Sequence, residues 1–319
     1  MIILANDGLS QKGIDALLSA GHTLLNHRVA QEQLINFLNE HQVEVLLVRS
    51  ATQVRKELID QVPSLKIIGR GGVGMDNIDV EYAESKGISV INTPAASSRS
   101  VAEMVFAHFF SLARFLHDAN RMMPLEGETQ FNQLKKSYAN AVELSGKTLG
   151  IIGFGGIGKE VAQMGIALGM KVKVATRKPR KEKIELSFFD GQKVEFEITT
   201  EVADASFYQD VDFLSINTPK TNGYLLDAEQ FEMMKDGVFI VNTARGGVLN
   251  EETLLHYIDT EKIAGAALDV FENEPQPELN ILMHPQLSLS PHLGGSTIDA
   301  QEKIGLELAE QIINYSNNH

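Results

Sequence analysis

Two stretches hold residues whose types and spacing could do chemistry. "SPHLGG", 290–295, sets His292 between a proline and two glycines, residues that punctuate turns rather than continue a helix or strand. Imidazole is the side chain suited to giving and taking a proton near neutral pH. A lone turn histidine is usually just solvated. It becomes an acid/base only if a carboxylate holds its ring, a cation holds a substrate and a cofactor gives the reaction a direction. The second stretch, "GIIGFGGIGKE", spaces Gly153, Gly155 and Gly158 as G-x-G-x-x-G. The apolar run "TLGII" leads into it, "KEVAQMGIALGM" follows with helical character, and "KVKVAT" reads as the next strand. In that setting glycine keeps the turn tight and lets amides approach a pyrophosphate, and the positive end of the helix faces the phosphates. The spacing therefore predicts a dinucleotide site.

A second copy of the pattern, Gly69, Gly71 and Gly74 in "GRGGVGMD", lacks that context. The segment after it is short and polar, and the position about 20 residues on, where an acid would meet a ribose, falls around Asn92. No second nucleotide site is expected there. The turn either binds a small anion through its amides or is a turn and nothing more.

The elements that must position these residues alternate. "IILAN", "VEVLLVRS", "LKIIGR" and "ISVINT" are strand-like, as are "TLGII", "VDFLSINTP", "GVFIVNTARG" and "IAGAALDV". Helical patterns separate them, which means βαβ units and parallel sheets. The fold expected is α/β, with two Rossmann-like, doubly wound parallel-sheet domains. A helical stretch from about Ser98 to about Met122 interrupts the rhythm. A last helix, capped by Ser296, should return to the first lobe, making that domain discontinuous. The division expected is 1–97 with 290–319 for substrate and 98–289 for dinucleotide. A β-hairpin is expected over 184–198, around Asp190-Gly191.

Bulk properties narrow the class. With 319 residues, 43% of them hydrophobic and 22% charged, the chain is globular and long enough for two domains. A net charge of −14 argues against nucleic acid or an anionic membrane as partner. With no cysteine, disulfides, thiol chemistry and cysteine zinc sites are excluded. No histidine or carboxylate spacing suggests another metal site, and none of the other eight histidines shows the partners sought for His292. The N-terminus lacks a signal-peptide pattern, and the most apolar stretch, 102–119, is too short and too charged to span a bilayer. The expected location is the cytoplasm.

Seven pieces carry a resemblance. They are "VRSAT" (48–52), "GRGGVGMDNID" (69–79), "INTPAASSRSVAE" (91–103), "GKTLGIIGFGGIG" (146–158), "VNTARGGVLNEE" (241–252), "ALDVFENEP" (267–275) and "SPHLGG" (290–295). In this order they resemble the D-isomer-specific 2-hydroxyacid dehydrogenases over nearly the whole chain, most of all the branch that oxidises D-3-phosphoglycerate at the entry to serine synthesis. The resemblance implies His292 as acid/base, Glu274 as the carboxylate on its other ring nitrogen, and Arg245 as the fork that holds the substrate carboxylate and polarises the reacting carbonyl. For the cofactor, NAD or NADP, it implies Gly153, Gly155, Gly156, Ile157, Gly158, Thr176, Arg177, Thr218, Pro219, Thr243, Ala244, Asp269 and Gly294. For the substrate it implies the amides of Gly72, Val73 and Gly74, with Arg49 and Ser50 at the phosphate. It also implies a homodimer through the 98–122 helix.

The family often has an aspartate on the adenosine ribose where this chain has Thr176, followed by Arg177, Lys178, Pro179 and Arg180. That leaves NADP open, since a missing acid removes a repulsion for the 2′-phosphate. The enzyme alternative is an NADPH-dependent glyoxylate or hydroxypyruvate reductase. The non-enzyme alternative is a nucleotide-gated interaction protein. A regulatory domain after residue 319, and serine feedback through one, are not expected.

Overall fold

The computed structural model describes residues 1–318. They form two compact units, Met1–Ser98 with the chain from Gly295 onward, and Arg99–Gly294. The first unit alternates β1 (Ile2–Ala5), α1 (Gln11–Ser19), β2 (Thr23–Leu25), α2 (Gln31–Glu40), β3 (Val45–Val48), α3 (Lys56–Gln61), β4 (Ile67–Arg70), α4 (Val80–Ser85) and β5 (Ser89–Asn92). The sheet is parallel throughout, in the order β2-β1-β3-β4-β5.

The second unit comprises α5 (Ser98–Ala113), α6 (Leu116–Ser137), β6 (Thr148–Ile152), α7 (Gly156–Ala167), β7 (Lys171–Ala175), β8 (Lys181–Ser187), β9 (Lys193–Thr199), α8 (Ala205–Tyr208), β10 (Phe213–Ile216), α9 (Ala228–Met233), β11 (Val238–Asn242), α10 (Glu251–Asp259), β12 (Ile263–Leu268), α11 (Leu279–Met283) and β13 (Leu287–Leu289). Its parallel sheet runs β13-β12-β11-β10-β6-β7, with β8 and β9 as a separate antiparallel hairpin. The strand order reverses between β6 and β10, so their carboxyl ends open the crevice where ligands bind in such sheets. No helix among the described residues is long and apolar enough to cross a membrane.

The last helix, α12 (Ile298–Asn318), belongs to the first unit. Its buried Ile304, Leu308 and Ile312 lie four residues apart on one stripe. They share a core with Val45, Leu47 and Ile67 of the first sheet, while Leu46 and Ile68, on the opposite face, pack with Leu34 and Leu38 of α2. Helices on both faces explain why β3 reads "VLLV" with no polar alternation.

Three boundaries differ from the sequence reading. The Ser98–Met122 helix is two helices, because Phe115 takes a left-handed backbone (φ 53°) and stacks on Tyr138 at 5.8 Å. The second helix then runs on to Ser137 across a kink at Gln130, whose backbone leaves the helical range (φ −125°, ψ 24°). The cap on α12 is Thr297, whose Oγ1 accepts from Ala300 N at 3.1 Å, rather than Ser296. Finally, the units divide after Ser98 and after Gly294, where the sequence reading put 97 and 289. Ser290–Gly294 goes with the second unit because Ser290 N donates to Leu268 O, and Asp269 holds the amides of Leu293 and Gly294.

Candidate active site

The second glycine turn has the shape its context predicts. Gly153 sits at φ 93°, where a Cβ would fall 2.5 Å from Asn217 O. A Cβ on Gly158 would lie 2.2 Å from Gly153 O, so only glycine lets α7 start against the strand end. Gly155 differs, since a Cβ there meets nothing within 4 Å. Gly155 is the N-cap of α7 and offers no side-chain cap. The first bond of the helix is Lys159 N to Gly155 O, leaving the amides of Gly156, Ile157 and Gly158 without intrahelical acceptors. Open space beside three free amides at a positive helix end fits a pyrophosphate.

The neighbouring strand ends fit as well. The hydroxyls of Thr218, after β10, and Thr243, after β11, are buried with no hydrogen-bond partner among the described residues. Buried donors left over in this way are expected of groups that wait for a ligand. Pro219 beside Thr218 is exposed. At the end of β7, Thr176 Oγ1 donates to Lys178 O at 3.1 Å and pairs with Thr200 Oγ1 at 2.8 Å, which folds the basic turn back on itself. Arg177 and Lys178 are exposed, while Arg180 pairs with Glu182, which also meets Lys159 at 3.0 Å. The hairpin thus takes one cation of the turn and leaves the first two outward. No carboxylate stands at 176, so the residues present fit NAD and do not exclude NADP.

The residues expected to form the acid/base pair lie in the same unit. His292 Nδ1 and Glu274 Oε2 are 3.0 Å apart. Glu274 Oε1 accepts from Phe271 N at 3.0 Å. Burial pushes the Glu274 carboxyl up, but hydrogen bonds from His292 and the Phe271 amide, with the charges of His292 and Arg245 nearby, hold it below the usual carboxylate range. An ionised carboxylate only accepts, so Nδ1 carries the proton and Nε2 is left to work on a ligand. Arg245 follows β11. Its turn is pinned by buried Asn242, whose Nδ2 donates to Arg245 O and whose Oδ1 accepts from Ala244 N, both at 3.0 Å. Arg245 Nη1 donates to Ala244 O at 2.6 Å.

His292 has φ 55°, a left-handed backbone uncommon outside glycine and characteristic of functional turns. Asp269 over-determines it. Its Oδ1 accepts from Leu293 N at 2.7 Å and from Ser290 Oγ, and its Oδ2 accepts from Gly294 N at 2.8 Å. Asp269 and Gly294, expected at the cofactor, therefore first of all build the His292 loop. Behind them sits buried His108 on α5, with Ser288 Oγ 3.0 Å from Nδ1 and Ser290 Oγ 3.0 Å from Nε2. Burial pushes His108 down, against the Asp269 charge. The sequence reading missed this histidine's partners and also the 3.3 Å contact of His284 with Asp259, because both depend on residues far away in sequence.

The expected substrate residues are in the first unit. Arg49 and Ser50 follow β3. Asp7 Oδ2 accepts from Arg49 N at 2.7 Å, and Asn77 Nδ2 donates to Arg49 O at 2.7 Å. The first glycine turn is unlike the second. Gly69 packs inside the sheet, Gly72 (φ 142°) donates its amide to Arg70 O, and the next helix, α4, has six residues. Val73 is exposed at the turn's tip, next to Gly74.

Comparison with known proteins bears on the family and the fold. Residues 106–294 match the family model described as D-isomer specific 2-hydroxyacid dehydrogenase, NAD binding domain. A hydroxypyruvate reductase of Thermotoga maritima is 38% identical over 314 residues, 96% of this chain and 95% of that one. A D-3-phosphoglycerate dehydrogenase of Bacillus subtilis is 36% identical over 318 residues, 98% of this chain but 57% of the relative's length. Among solved structures, the acyclic imino acid reductase Bsp5, in complex with NADPH and D-Arg, superposes with a TM-score of 0.82 at 26% identity, covering 100% of this chain and 98% of that one.

Proposed function

The chain belongs to the D-isomer-specific 2-hydroxyacid dehydrogenases, NAD-dependent oxidoreductases, and from that premise we propose that it interconverts D-3-phosphoglycerate and 3-phosphohydroxypyruvate. The 3.0 Å pairing of His292 with Glu274 carries the dehydrogenase chemistry, and Arg49 with Ser50 the choice of a phosphorylated substrate. A nicotinamide dinucleotide, when bound, supplies the hydride chemistry. In oxidation, Nε2 of His292 takes the proton of the substrate 2-hydroxyl, and Glu274 stabilises the imidazolium. In reduction the same proton returns to the carbonyl oxygen. Arg245 holds the substrate carboxylate and draws charge onto the carbonyl oxygen as it is reduced. We assign the 72–74 turn to the carboxylate as well. Arg49, its backbone fixed by Asp7 and Asn77, supplies a two-pronged grip for the phosphate beside Ser50.

The second reading is reduction of hydroxypyruvate or glyoxylate with NADPH. It is favoured by the hydroxypyruvate reductase that matches from end to end and by Thr176 in place of an acid. Initial rates on 3-phosphohydroxypyruvate, hydroxypyruvate and glyoxylate, each with NADH and NADPH, decide between the two. A slow phosphorylated substrate beside a fast unphosphorylated one removes the role given to Arg49. No turnover on any of them, together with stable capture of a protein partner, would favour a nucleotide-gated interaction protein instead. Under either enzyme reading His292→Ala should lower kcat by roughly 10² to 10⁴ with dinucleotide affinity nearly kept. We further assign the exposed Phe110, Leu116, Leu125 and Phe131 of α5 and α6 to contact with a second copy of the chain, to be checked by light scattering.

A further inference from the structure

Behind the acid/base pair lie two carboxylates that the chemistry above does not use. Glu251 opens α10 and is 6% exposed. Its Oε1 accepts from Glu272 N at 2.7 Å, and Glu272 Oε1 accepts from Glu251 N at 2.9 Å. Each carboxyl satisfies the other's amide, and the Tyr224 hydroxyl donates to Glu272 Oε2 at 3.0 Å. This clasp sits where two functional segments touch. A Cβ on Gly246 would fall 1.7 Å from Phe271 O and 3.0 Å from Glu272 N, so the backbones are already in contact. One segment, 245–251, begins with Arg245. The other, 271–274, ends with Glu274, whose carboxylate is anchored on Phe271 N, the residue before Glu272.

We propose that Glu251 is a positioning residue for the acid/base pair. Through its reciprocal bonds with Glu272 it locks the 271–274 turn onto the Arg245 segment and aims Glu274 at His292 Nδ1. The proposal rests on the dehydrogenase reading above. The chemistry of the pocket shows how a carboxyl can stand there. Burial pushes Glu251 up to about 7 against the Glu272 amide, helped by the facing carboxylates of Glu272, Glu274 and Glu278. A carboxyl that retains its proton avoids adding a charge beside three acids and still accepts the Glu272 amide through its carbonyl oxygen.

The test is a double-mutant cycle on 2-oxo acid reduction. Glu251→Ala should lower kcat roughly ten- to a hundred-fold, the scale of a small misplacement near the chemistry, while leaving NADH affinity unchanged. Made in a Glu274→Ala background, the same change should cost nothing further, because it acts through Glu274. Glu251→Gln, whose amide oxygen still accepts from Glu272 N, should recover most of the loss. If Glu251→Ala does not fold, Glu272→Ala at the exposed side of the clasp should reproduce its effect. Additive losses in the double variant, or full kcat in either clasp variant, overturn the proposal. Absence of 2-oxo acid turnover by the unmodified protein would overturn the dehydrogenase reading, and the role of the clasp with it, before any variant is made.

Discussion

The two glycine-rich turns are spelled alike and built differently. In both, glycines spaced G-x-G-x-x-G stand at the carboxyl end of a buried strand of a parallel sheet. In the turn after β6, two of the three glycines are demanded by backbone, since a Cβ at 153 or 158 would run into a carbonyl, and the third faces open space. In the copy at the end of β4, Gly69 still lies within the strand and meets only side chains, Leu47 Cδ2 at 2.6 Å first, and no long helix follows. A phosphate needs free amides and a helix end. The second turn offers both, and the first spends its leading glycine on packing. The pattern is therefore a signal only when the geometry that requires glycine is the geometry that binds.

The most direct way to break this comparison is to add a methyl group at each turn. Gly155→Ala places it in the open space and should weaken dinucleotide binding roughly a hundredfold, the worth of two lost hydrogen bonds to a charged group at about 1.5 kcal/mol each. Gly158→Ala should do at least as much, because the turn itself must shift. Gly69→Ala should lower stability by about 1–3 kcal/mol through overpacking and leave dinucleotide affinity alone. Calorimetric titration with NADH and NADPH on the three variants reads the contrast. If Gly69→Ala weakens binding as much as Gly155→Ala, the distinction between the turns is wrong.

Much of this was legible in the sequence, and what was not has a common cause. Strands such as "TLGII" and "VLLV", the hairpin around Asp190-Gly191 and the placement of His292 in a turn follow from local chemistry. Partners separated by long stretches of chain do not. Glu251 and Glu272 are 21 residues apart and meet only because Gly246 lets two backbones touch. His108 reaches Ser288 and Ser290 across 180 and 182 residues. Asp269 was expected at the cofactor through resemblance alone, and its grip on the Leu293 and Gly294 amides needed the loop to return to β12. Even the break at Phe115 is tertiary in origin, since its ring stacks on Tyr138 beyond the next helix.

Titration sharpens the contrast between the two units. In the first, hydrogen bonding to Lys66 holds Glu44 below the usual carboxylate range despite some burial. In the second, burial holds Glu251 at about 7. The signs are opposite. Glu44 contributes stability that is present above the ordinary carboxylate pKa and lost as pH falls through its lowered value. Glu251 in the folded state keeps a proton that the unfolded chain has released. Stability from this group is therefore highest in mild acid and declines as pH rises from about 4.5 through about 7, by on the order of 3 kcal/mol. Denaturant melts at pH 5 and pH 8 should show the decline, and Glu251→Gln should flatten it. Glu44→Gln should leave that window unchanged. A slope that survives Glu251→Gln would mean that the buried carboxyl is not its source.

The smallest effect concerns the far end of the second turn. The pyrophosphate expected at its amides is common to both nicotinamide dinucleotides, so the turn itself cannot choose between them. Choice falls to side chains after β7, where Arg177 and Lys178 are exposed and Arg180 is already paired with Glu182. Exposed charges contribute little individually, so Arg177→Ala should raise the KM for NADPH only about threefold to fivefold and leave that for NADH unchanged. Thr176→Asp should do more, because a carboxylate there repels a 2′-phosphate and offers acceptors to free ribose hydroxyls. Initial rates with both dinucleotides separate the cases. Equal response of NADH and NADPH to both substitutions would show that the basic turn is surface charge, and that this end of the site, like the turn after β4, resembles a ligand contact only in its spelling.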